Sequence, residues 1–89
     1  MSSLAKLQAT FNKYTLQRLV LLQVIAANNY AHSGKLEGIF KDHDVDYPAR
    51  KESGFKLNKD SILKLIAIID LKMENFNEMI LELTEDIEV

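Results

Sequence analysis

Between Ile62 and Ile87 an apolar residue stands at every heptad contact position. The series Ile62, Ile66, Ile69, Met73, Phe76, Ile80, Leu83, Ile87 alternates spacings of four and three. An α-helix turns once in about 3.6 residues, so all eight side chains fall on one narrow stripe. Water rejects a stripe of that kind, and it must lie against another helix, in this chain or in a partner. The flanking positions favour the first option. With Ile62 as d and Ile66 as a, the e positions are Leu63, Asp70, Asn77 and Thr84, and the g positions are Leu65, Lys72, Met79 and Asp86. Specific zippers carry complementary charges at these places, and these residues do not, so an intramolecular bundle is expected over a dedicated zipper.

The same helix has a well-marked start. Asn58 suits an N-cap, Asp60 sits in the first turn, where the helix dipole favours acid, and Leu57 can staple onto Ile62. It is expected to run to about Glu85. An earlier helical stretch is predicted from Ser3 to Tyr30. Leu4, Leu7, Phe11 and Tyr14 mark one face of it, and from Leu16 to Ile25 apolar residues leave few polar gaps. A helix apolar nearly all round is buried or shares a second surface. Thr15 could mark a kink or a second start. Ser33-Gly34 reads as a new N-cap, with a short helix from Lys35 to about Lys41 presenting Leu36, Ile39 and Phe40. Asp42 to Lys56, with the only proline, Pro48, reads as irregular.

The expected fold is therefore all-α and a single domain over residues 1–89: a small bundle of two long helices with a short helix and a loop between them. The predicted core comprises Leu7, Phe11, Leu19, Leu22, Ile25, Ile39, Phe40, Ile62, Ile66, Ile69, Met73 and Phe76. With 89 residues and no cysteine, stability must come from helix packing alone, which small helical proteins often supplement by dimerising. No run reaches about 18 consecutive apolar residues, and the N-terminus lacks a charged leader followed by an apolar run. No membrane contact is expected, and a cytoplasmic location is the default.

No pattern for catalysis stands out. Asp42, Asp44 and Asp46 stand at the first, third and fifth places of a calcium loop, but Tyr47 replaces its glycine and Ser53 its bidentate glutamate. His32 and His43 lie eleven apart without enough companions for a zinc site. There is no nucleophile elbow, and the three glycines are too scattered to cradle phosphate. No enzyme, metal or cofactor is expected.

Charge is more informative. The net charge of −2 combines a mildly basic body with an acidic end: residues 73–89 hold Glu74, Glu78, Glu82, Glu85, Asp86 and Glu88 and no base. Glu74, Glu78 and Glu82 stand four apart, where like charges repel by about 0.2–0.5 kcal/mol per pair, and they oppose the dipole at a helix C-terminus. A basic partner surface would relieve this; a merely solvated face would explain it too. Arg50, Lys51 and Lys56 around Phe55 form a modest basic loop, sparser than nucleic-acid binders usually show.

Gly54-Phe55-Lys56-Leu57-Asn58-Lys59-Asp60-Ser61-Ile62-Leu63-Lys64 resembles the G-x-K-L-N-x-x-S-x-x-K stretch of the AsiA family of phage anti-sigma factors. Ile39-Phe40 followed by Val45 is similar to the spacing at that family's preceding helix end. The likeness covers about a quarter of the chain, and the Tyr47–Gly54 loop is longer than the family pattern. It implies an all-helical regulator that binds region 4 of the bacterial primary sigma factor and self-associates through an apolar face. The expected function is thus non-catalytic binding to a protein, such as a sigma factor or RNA polymerase subunit. Leu16, Val20, Val24, Glu74, Glu78 and Glu82 are the expected partner contacts, and a homodimer is expected. The alternatives are a self-assembling structural protein with a seam over Met73–Ile87 and a nucleic-acid binder using Arg50, Lys51 and Lys56.

Overall fold

The structure, a computed structural model, describes residues 3–47 and 57–87, the side chains of 85–87 excepted. It is all-α. Helix α1 spans Ser3–Ala27, α2 spans Gly34–Asp42 and α3 spans Lys59–Ile87. Contacts between Arg18 and Asp70 and between Tyr14 and Phe76 show that α1 and α3 run antiparallel. The molecule measures 57 × 23 × 16 Å. None of the described helices is long and apolar enough to cross a membrane.

Helix α1 is continuous through Thr15, whose hydroxyl donates to the Phe11 carbonyl at 2.9 Å and so stays within the helical turn. It ends three residues earlier than its composition predicts. Asn28 takes a φ of 51°, and the amides of Asn28 and Asn29 return to the carbonyls of Ile25 and Val24. That pair of bonds is a Schellman motif, in which asparagine tolerates the left-handed position. Helix α2 begins as expected, with the Ser33 hydroxyl accepting from the Leu36 amide at 3.2 Å. A second Schellman motif ends it: Asp44 has a φ of 55°, its amide bonds the Lys41 carbonyl, and Val45 bonds that of Phe40. The aspartate-rich stretch is therefore, up to Val45, a helix cap. Tyr47 then folds back, its ring edge-on to His32 and Phe40.

At the start of α3, Asn58 and Ser61 cap one another. The Asn58 side chain accepts from the Ser61 amide at 2.9 Å, and the Ser61 hydroxyl accepts from the Asn58 amide at 3.1 Å. This is a capping box with serine in place of the usual glutamate. Leu57 and Ile62, the expected staple pair, are both buried.

The core gathers at one end. Leu21, Leu36, Ile39, Phe40, Leu57, Ile62, Leu65, Ile66 and Ile69 form one buried cluster where α2 packs into the angle between α1 and α3. Farther out, Leu4, Leu7 and Phe11 on α1 and Phe76, Ile80 and Leu83 on α3 are only half-buried, as in a helix pair without a third helix. The expected core is corrected at five places: Leu7, Phe11 and Phe76 lie in this half-buried outer stretch, and Leu19 and Leu22 face away. Leu19 is 51% exposed and Leu22 also faces out, because the inward stripe of α1 runs through Tyr14, Gln17 and Leu21. Leu65, off the heptad stripe, is fully buried because α3 has neighbours on two sides.

Candidate functional site

The outward phase of α1 creates a groove. Its apolar lining comes from Ala9, Leu16, Leu19 and Val20 on α1 and Ile39 on α2, joined by Asn12, Lys13, Gln17 and Lys35. The groove holds about 560 Å³. Leu16 is 64% exposed, so an apolar surface that α3 does not cover stays in water along this side. Both ionisable residues that line it are lysines.

Of the expected partner contacts, Leu16 and Val20 line this groove. Val24 does not; it packs half-buried against the core, one turn farther along. Glu74, Glu78 and Glu82 are exposed on α3 and are not part of the groove, so the structure leaves the two halves of the expected interface as separate surfaces. Arg50, Lys51 and Lys56 lie outside the described residues. Further apolar side chains stand in solvent on α3 at Leu63, Leu71, Met79 and Leu81.

Behind the groove lies a polar cluster that sequence reasoning missed. Gln17 is 8% exposed and His43 4%, in a corner shared by all three helices. The Gln17 side-chain amide donates from Nε2 to Asp42 Oδ2 at 2.8 Å, and its Oε1 meets His43 Nε2 at 2.7 Å. Lys72 Nζ approaches His43 Nδ1 at 3.0 Å. Lys13 completes the set with an ion pair to the same Asp42 oxygen at 3.1 Å. The protons in this chain can be placed. A carboxylate only accepts and an ammonium only donates, so Asp42 orients Gln17 and Lys72 fixes the imidazole. His43 must be neutral, with its proton on Nε2 donating to Gln17 and Nδ1 accepting from Lys72. Burial, and then the Lys72 charge, hold the imidazole below the ordinary histidine range. The bond from Lys13, aided by that from Gln17, holds Asp42 below the usual carboxylate range. Tyr14 lies over this corner, its ring 4.7 Å from that of His43 and beneath Lys72.

Two signals could have revealed the cluster. Gln17 falls three residues from Tyr14 and four from Leu21, on the inward stripe. His43 immediately follows the short helix, where the cap turn directs it back. Among the described residues no group of three or more His, Cys, Asp or Glu is placed to hold a metal ion. No family model, curated protein or solved structure matches this chain.

Proposed function

We propose that the chain is a non-catalytic regulator that binds a protein of the bacterial transcription machinery from a cytoplasmic location. The observation that carries the reading is the groove on α1, with Leu16 and Leu19 left in water beside a core able to bury such residues. A groove with an apolar lining and rows of exposed leucines suits an amphipathic helix laid along it. The likeness at the start of α3 to phage anti-sigma factors gives that helix a first candidate, region 4 of the primary sigma factor. Titration calorimetry with that region tests the reading. Leu16→Asp and Leu19→Asp should each weaken binding at least tenfold while circular dichroism stays unchanged, since a charge cannot be desolvated in an apolar contact. Absence of binding by the unmodified chain, or unchanged affinity in both variants, would remove this reading. The acidic row forms a separate surface, and a Glu74/Glu78/Glu82→Lys variant reports whether it adds to contact.

A second reading, self-assembly, draws on the half-buried Phe76, Ile80 and Leu83. The outer helix pair of a second copy would turn that pair into a four-helix bundle and cover them. Concentration-dependent mass, abolished by Ile80→Asp, is the expected result for this reading; a constant monomer mass excludes it.

A further inference from the structure

The His43 corner joins the three helices through one imidazole that has no spare lone pair. Gln17 of α1 takes its Nε2 proton, and Lys72 of α3 occupies Nδ1. The only place for a second proton is Nδ1. Its arrival converts the acceptor of the Lys72 bond into a donor and sets two positive charges about 3.0 Å apart in a shielded site. The bond cannot survive, and Lys72 has to leave. It can: its side chain is only partly buried, whereas His43 is pinned by the α2 cap.

We propose that His43 is a proton-operated latch that holds α3 through Lys72 near neutral pH and releases it under mild acid. Four other ionisable groups face the ring. Lys13 and Tyr14 face it from α1, Asp42 from the end of α2 and Asp44 from the cap beyond. Asp42 and Asp44 favour the imidazolium, but Asp42 is already bound by Lys13 and Gln17, while Lys13 adds to the repulsion from Lys72. Desolvation acts in the same direction as the two lysines. The latch also sits behind the groove, because Gln17 and Lys13 belong to both. It depends on no particular occupant of the groove and stands or falls separately from the proposed function.

The full-length chain can be followed by NMR of the histidine, tyrosine and lysine side chains between pH 8 and 4.5, with thermal midpoints over the same range. The expected result is a His43 titration accompanied, at one midpoint, by shifts of the Tyr14 ring and the Lys72 side chain, and a melting temperature that falls alongside. Lys72→Met keeps the stem and removes the charge; it should raise the His43 midpoint by about half a pH unit or more, a roughly threefold gain in proton affinity. His43→Gln should flatten the melting temperature between pH 7.5 and 5. An unmoved midpoint in Lys72→Met overturns the latch, even if His43→Gln does not fold. So does a His43 titration that leaves Tyr14 and Lys72 unaffected.

Discussion

Leu19 and Leu21 are chemically identical, two residues apart, and sit on different sides of α1, so truncating each in turn tests the phase of this helix. Leu21→Ala removes three buried carbons. At about 0.8 kcal/mol per methylene this is roughly 2.4 kcal/mol of lost transfer energy. Leu21 has no exposed surface and touches a cluster fixed by α2 and α3, so a cavity remains and brings the total to about 3–5 kcal/mol. Leu19 keeps 51% of its surface in water. Its truncation forfeits at most about half the transfer term, roughly 1.2 kcal/mol, leaves no cavity, and gains a few tenths from alanine's helix propensity. Urea denaturation should separate the variants by at least about 2 kcal/mol, with unchanged m-values. In a domain of this size Leu21→Ala should also lower the melting temperature by more than about 12 °C. Equal losses, or a larger loss for Leu19→Ala, would mean that α1 is rotated from the orientation described and that the groove does not exist as drawn.

Other outcomes follow from the polar corner and from α2. Gln17→Leu strands the buried Nε2 proton of His43 and should cost about 1–3 kcal/mol in urea denaturation, despite the added apolar bulk; a neutral result would mean that the imidazole has another acceptor. Asp42 has a lowered folded-state pKa, so its contribution is present above the ordinary carboxylate value near 3.8 and is lost as pH falls through the folded one. His43 is a base with a lowered pKa, so its contribution is complete above about 6.5 and declines below it. Melting curves should therefore show two acid limbs, and Asp42→Asn should flatten only the lower. Gly38 lies within α2 with nothing within 4 Å of the place a Cβ would take. Gly38→Ala should thus raise stability by about 0.4–1 kcal/mol, and a loss in thermal melts would reveal hidden crowding.

The helices were legible where local chemistry decides them. Asn58, Asp60 and Leu57 announce α3, Ser33 announces α2, and the unbroken 4-3 spacing demands a long helix with one packed face. The orientation of α1 was not legible, because Leu16 to Ile25 offer apolar side chains in every direction and only the position of α3 selects among them. Gln17 also argues against the true inward stripe until His43 and Asp42 are seen to satisfy its amide. Leu65 was legible only in part: the first half of α3 is apolar on several sides, at Leu63, Leu65 and Ile68 as well as on the stripe, which marks a central helix, but only the place of α2 selects Leu65 over the exposed Leu63. Two of the six expected contacts, Leu16 and Val20, fall on the groove. Val24 does not, since it lies one turn beyond the end of the groove, packed like Val20 against the core.

The concentration of buried residues at one end also predicts an order of assembly. Leu21, Phe40 and Ile62 meet where α2 joins the long helices, and closing that corner meets the entropy cost of joining distant parts of the chain. From there α1 and α3 can pair outward turn by turn, like a zipper, with no further loop to close. The outer turns gain less than the corner does, as burial drops from Ile69, which is fully buried, to Met73, Phe76, Ile80 and Leu83, which are all half-buried. Amide exchange should report this as a gradient of opening energies along α3, steepest protection near Ile69 and least near Leu83. The far tip of the helix pair would then open and close many times within the lifetime of one folded molecule.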